Sequence, residues 1–127
     1  MAPNAFRDNL QILENIMRIC QSQGIQLILI TTPAHHTFYD SIDPFKWRLV
    51  QETVLAMAEK YGFQYNDYLK DARFSHLDYR DHDHLNFQGS EKFSKIIAQE
   101  IIQPLLLSSR DEFNACQRAS EKPCMIK

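Results

Sequence analysis

The sequence predicts an α/β fold with a parallel sheet, and three observations carry that prediction. Leu27-Ile28-Leu29-Ile30 is continuously apolar, as in a strand covered on both faces. A helical pattern, a glycine and an extended segment follow one another twice, with the glycines at positions 24 and 62. Two strands separated by a helix-length crossover pair in parallel. The 127 residues suit one domain. Their 44% apolar and 24% charged content is that of a globular chain.

Residues 8–23 read as the first helix. Leu10, Leu13, Ile16, Met17 and Cys20 recur at three- and four-residue steps and form one apolar stripe. Asp8 suits the N-cap, and Gly24 suits a left-handed C-cap. Residues 25–32 are the first strand, which Pro33 stops. Residues 33–42 form a loop leaving the carboxyl end of that strand. In open α/β sheets ligands collect there. His35, His36 and Tyr39 on this loop are therefore the candidate substrate contacts.

Asp43 and Pro44 start the second helix as cap and first helical residue. Trp47, Val50, Val54, Met57, Ala58 and Tyr61 trace its apolar side, and Phe45, Leu49, Ala56 and Lys60 the other; Gly62 closes it. Trp47 reads as a packing residue. Residues 63–66 are a short second strand, expected to run parallel to the first. Residues 67–80 are an irregular, aromatic-rich loop. A third helix starts at Asn86 as cap, with Phe93, Ile96, Ile97 and Ile101 as its stripe and Pro104 as its limit. Gly89 in its first turn is a poor helix former, which implies close approach of another group to the backbone. The domain thus spans 1–107. Residues 108–127 are polar, lack any periodic pattern and are expected to be disordered.

Charge and composition exclude several function classes. A net charge of −2 with scattered basic residues gives no reason to expect nucleic acid or an anionic membrane as partner. No apolar run approaches the roughly 18 residues of a membrane span. The segment Met1–Arg7 lacks the regions of a signal peptide, so the sequence assigns no compartment. Cys20, Cys116 and Cys124 are too few and too scattered for a disulfide framework. No cofactor motif occurs.

Titratable groups are densest at Asp81-His82-Asp83-His84, just before the third helix. A serine becomes nucleophilic when a base takes its proton. Histidine suits that task because its ordinary pKa lies near neutrality, and a carboxylate fixes its tautomer. An aspartate three residues before a histidine can fold back onto the ring. His84 is therefore the candidate general base and Asp81 its orienting carboxylate, with His82 and Asp83 expected to point elsewhere.

The block Asp81-x-x-His84-Leu85-Asn86-x-x-Gly89, followed by a helix, resembles the last motif of the SGNH (GDSL-type) hydrolases, most closely the DltD-like branch. That resemblance covers residues 10–106. It implies a three-layer α/β/α sandwich with a parallel, flavodoxin-like sheet. It implies a Gly-Asp-Ser nucleophile after the first strand, and acyl or acetyl esters, small or on polysaccharides, as substrates of a hydrolase or acyltransferase. Relatives of this kind often work at the cell envelope. The sequence departs from the pattern: Gly24, Gly62 and Gly89 are its only glycines, and none precedes an Asp-Ser pair. The chain therefore reads as the C-terminal part of such a domain, inactive alone. Two strands leave open edges, so pairing with an N-terminal half or self-association is expected. Two rival readings are a non-catalytic binding or assembly module, and a metal site in which Asp81, His82, Asp83 and His84 join His35, His36 or His76.

Overall fold

The computed structural model describes residues 3–110. Helix α1 (Pro3–Ser22) leads to strand β1 (Ile28–Thr31), a short helix α2 (His36–Tyr39), helix α3 (Pro44–Tyr61) and strand β2 (Gln64–Asp67). A 3-10 turn (His76–Asp78) and helix α4 (Phe87–Ile97) follow. The chain is mixed α/β, mostly helical, with a two-stranded parallel sheet. Its register pairs Ile28 with Gln64 and Thr31 with Asp67.

The two helix–glycine–strand junctions are built identically. After α1, the Gly24 amide donates to the Gln21 carbonyl at 3.2 Å and the Ile25 amide to Cys20 at 2.8 Å. After α3, the Gly62 amide donates to Glu59 at 3.2 Å and the Phe63 amide to Ala58 at 2.7 Å. This is the Schellman closure, which needs a left-handed residue. Gly24 and Gly62 supply it with φ of 64° and 72°. At the other end of α3, Asp43 Oδ1 accepts from the Phe45 and Lys46 amides, as its sequence position predicts.

The faces of the sheet are covered unequally. Ile28 and Tyr68 pack with Phe93, Ile96, Ile97 and Ile101 from the last helical segment. Asp67, two residues further along β2 than Tyr65, is bonded by Gln51 of α3, while Tyr65 shares a hydrogen bond of 2.7 Å with Thr31. Met17 of α1 is fully buried, and Ala58 of α3 nearly so.

Several boundaries differ from expectation. Helix α1 begins at Pro3, so Asp8 lies inside it rather than capping it. Ile16, expected in the buried stripe, is 45% exposed. β1 is shorter than residues 25–32, and Ile30 is 43% exposed. With one partner strand among the described residues, β1 also keeps an open edge. Pro104 does not end the last helix. A wider π turn, Ala98–Ile102, precedes it, with the Gln103 amide reaching back to the Ala98 carbonyl. The local widening accommodates a proline that has no amide proton to donate and crowds the preceding turn. Helix then continues over 103–110, so residues 108–110 are ordered helix. The expectation for the rest of the tail, and Cys116 and Cys124, lie outside the described residues.

Candidate active site

Residues 79–86 form a narrow loop that delivers the Asp–His block. Tyr79 and Leu85 make an antiparallel bridge, and the Arg80 amide donates to the His84 carbonyl at 2.9 Å. The base of the loop is locked by Asn86. Its Oδ1 accepts from the Gly89 amide at 3.0 Å and caps α4. Its Nδ2 donates to the Leu77 carbonyl at 2.6 Å, and its own amide donates to the Asp78 carbonyl at 2.9 Å. Gly89 is buried there, and a Cβ at that position would overlap the Asp78 carbonyl oxygen. This is the close approach that a glycine in the first turn implied.

The structure brings Asp81 and His84 together. Asp81 Oδ1 lies 2.8 Å from His84 Nδ1, and also accepts the backbone amides of His84 at 2.8 Å and Asp83 at 3.2 Å. One carboxylate oxygen thus ties off the turn and faces the imidazole. His84 Nε2 makes no hydrogen bond among the described residues. Partial burial pushes the Asp81 carboxyl up, but the bonds from the His84 ring and the two amides outweigh it and hold the group far below the usual carboxylate range. The Asp81 hydrogen bond, then the charges of Asp81 and Asp83, raise His84 above its ordinary value.

Asp83, expected to point elsewhere, instead faces His84, whereas His82 meets the cluster only through Asp83. Asp83 Oδ1 lies 3.0 Å from His84 Nδ1 and 2.7 Å from His82 Nδ1. A carboxylate adjacent in sequence can reach the ring here because the tight turn folds the backbone of 81–84 round one centre. His82 also meets the Phe38 ring, with centroids 5.8 Å apart.

The loop after β1 meets this loop directly. The His35 amide donates to the His82 carbonyl at 3.0 Å. The His35 ring lies 4.2 Å from His36 and 5.5 Å from Tyr79, centroid to centroid, and its Nδ1 bonds Thr37 Oγ1 at 2.9 Å. His35, His36 and Tyr39 line one cleft of about 400 Å³ together with Lys70, His76 and Tyr79. Asp81 and His84 lie beside that cleft, not in its wall. Trp47, expected only to pack, borders two neighbouring clefts.

No serine hydroxyl bonds His84 among the described residues. Ser22 and Ser41 donate to helical carbonyls, Ser75 serves the 3-10 turn, and Ser94 bonds Ser90. His76 does not join the Asp–His cluster as a metal ligand, nor do His35 and His36. Among the described residues, ligand atoms of Asp81, Asp83 and His84 alone fall within 4.8 Å of one another, and His82 is not among them.

Sequence reasoning missed the Asp78–Lys92 pair. Asp78 is 8% exposed, accepts from Lys92 Nζ at 2.9 Å and from the Ser75 amide at 2.8 Å, and its carboxyl is held low chiefly by Lys92. Ser75-x-x-Asp78 has the spacing of a capping box, which was the available signal.

Together these features define a small α/β protein with a solvent-facing Asp–His dyad beside a polar cleft at the carboxyl ends of parallel strands. A model of an uncharacterised family matches residues 5–106, and the chain belongs to that family. No curated protein and no solved structure matches the chain.

Proposed function

We propose that the chain is the acid–base half of an SGNH-type serine esterase or acyltransferase, with His84 as general base and Asp81 as its orienting carboxylate. The observation that carries the reading is the 2.8 Å contact of Asp81 Oδ1 with His84 Nδ1, which leaves Nε2 for a nucleophile. The contact puts the proton on Nδ1, so neutral His84 presents a basic Nε2. A serine Oγ–H would give its proton to Nε2 as the oxygen attacks an ester carbonyl. The imidazolium, stabilised by Asp81, would return that proton to the leaving alcohol. Water or a second alcohol would then release the acyl group, by hydrolysis or transfer.

The serine is to come from polypeptide outside this sequence. β1 offers an open edge for a further strand, and Ile30 on it is exposed. The packing of Ile28 against the last helical segment and the Gln51–Asp67 bond from α3 to β2 support completion as a three-layer α/β/α sandwich. The substrates would be acyl or acetyl esters, with His35, His36 and Tyr39 as contacts.

The test begins with the coding sequence upstream of Met1 and an assay of the extended protein on p-nitrophenyl acetate. The expected result is a Gly-Asp-Ser upstream and turnover that falls roughly 10²- to 10⁴-fold in His84→Ala, with none from the 127-residue chain alone. No such serine, and no His84-dependent turnover, overturns the proposal. The proximity of Asp81, Asp83 and His84 favours one second reading, a divalent metal site. Stoichiometric zinc in the purified protein, lost in Asp83→Asn, would select it. A stable partner with neither zinc nor ester turnover would select a binding module.

A further inference from the structure

The cleft beside the dyad has a charge and a position that the acyl-ester reading leaves unused. It opens between the loops that follow β1 and β2, where neighbouring parallel strands both end. Its volume of about 400 Å³ falls within the range of small-molecule sites. Lys70 lines it, lies 4.8 Å from the Tyr39 ring centroid, and has no carboxylate at ion-pair distance among the described residues. The acidic group in the wall, Asp71, is already committed. Arg73 Nε bonds both of its oxygens, at 2.9 and 3.0 Å, and holds its carboxyl low. Arg73 in turn pairs with Glu100. Asp71 is thus paired with Arg73 and not with Lys70, the one lysine or arginine in the cleft wall. His35, His36 and His76 add imidazole N–H donors on the same wall, one each even when neutral. His36 keeps a loose contact of 3.5 Å with Asp40.

We infer that this cleft binds an oxyanion of the substrate, a carboxylate or a phosphate, with Lys70 as its counter-ion and the three histidines as hydrogen-bond donors. The inference rests on the acyl-ester reading and concerns the chemistry of the group attached to the ester. The His35 amide bond to the His82 carbonyl ties the cleft wall to the dyad loop. A ligand anchored on Lys70 is thereby held at a fixed distance from His84. Positioning through a remote charged group raises the share of productive encounters.

The binding step is tested without catalysis. The full chain is titrated with inorganic phosphate, acetate and glycerol while the histidine ring signals are followed by NMR at neutral pH. Saturable shifts of His35, His36 or His76 are expected with at least one anion and not with glycerol. Phosphate alone would assign a phosphoryl group, and acetate alone a carboxylate. Lys70→Gln should weaken binding roughly ten- to hundredfold, the cost of one charge-assisted bond, whereas Lys70→Arg should retain it. His84→Ala should bind the anion as the parent does. Absence of saturation with both anions overturns the inference, as does unchanged affinity in Lys70→Gln. The two readings fail separately. Anion binding survives if no ester is turned over, and His84-dependent turnover survives if no anion binds.

Discussion

At the scale of single residues, the dyad makes the pH behaviour of the molecule specific. The raised pKa of His84 means that its interaction with Asp81 is complete below the ordinary histidine value, about 6.5, and is lost as pH rises through the raised one. The depressed pKa of Asp81 has the opposite sign: its contribution is present above about 3.9 and is lost as pH falls through the folded value. Both are complete only between those two ordinary values. Under the proposed esterase reading, catalysis by the extended protein needs the other form of His84, the neutral base, so its activity should climb as pH rises through the raised pKa. Asp81→Asn should lower the His84 pKa and shift that climb to lower pH. An NMR titration of the His84 ring reads the first effect directly, and an unmoved pKa would show that the contact does not exist in solution. Gly89 makes a second prediction of this scale. Gly89→Ala drives a Cβ into the Asp78 carbonyl, which should destabilise the fold by about 1–3 kcal/mol, the usual cost of overpacking, measured by urea unfolding.

At the scale of elements, Asn86 serves α4 and the dyad loop at once. Its side chain caps the helix and bonds the Leu77 carbonyl. Asn86→Ala should cost about 1–2 kcal/mol from the cap alone, and should also release the loop, so His84 would titrate closer to its ordinary value. Asn86→Ser, which keeps a cap but cannot reach both partners, should recover part of the stability and not the pKa. Recovery of both would mean that the loop does not depend on Asn86. The same elements show what sequence makes legible. Junctions at Gly24 and Gly62 were readable because one chemical need, a left-handed residue at a helix end, has a nearly unique answer. Asp43, Asn86 and Gly89 were readable for similar local reasons. The starting residue of α1 and the passage of the last helix through Pro104 were not. Each is decided by energies spread over a turn or more, where a single cap or breaker competes with the rest of the helix. Asp83 was misplaced because adjacent side chains diverge on a regular backbone and this turn is not regular. The cleft charge of Lys70 was hidden as well. The fold sets Lys70 beside His35, His36 and His76, a placement that composition does not reveal.

At the scale of the whole molecule, the sheet is the weak point. Two four-residue strands, Ile28–Thr31 and Gln64–Asp67, expose unpaired backbone on both outer edges. Strands of this size do not stand alone in water without packing or pairing. The helices supply some cover, but the apolar surface left over is not scattered evenly. Ile12, Ile16 and Ile19 are 58%, 45% and 55% exposed, and their spacing puts them on one side of α1. Ile30 on β1 is exposed as well. A single exposed isoleucine is ordinary, but a helical stripe of three is an area that water disfavours and another surface would cover. The chain on its own is therefore expected to associate with itself, in place of the strand-bearing segment that the esterase reading requires. Sedimentation should show the average mass rising above the 14.9 kDa of one chain as concentration increases. Ile16→Glu with Ile19→Glu should return it toward one chain without unfolding it, because these side chains face outward. Ile30→Lys should act at the strand edge, where a charge blocks pairing. If Ile30→Lys alone restores the monomer, the edge drives association, and a strand is what the molecule lacks. If only the α1 pair does so, the missing cover is a helix or a flat apolar face. A chain that stays at one mass at every concentration would mean that this surface is tolerated, and the case for a completing segment would then rest on the absent serine alone.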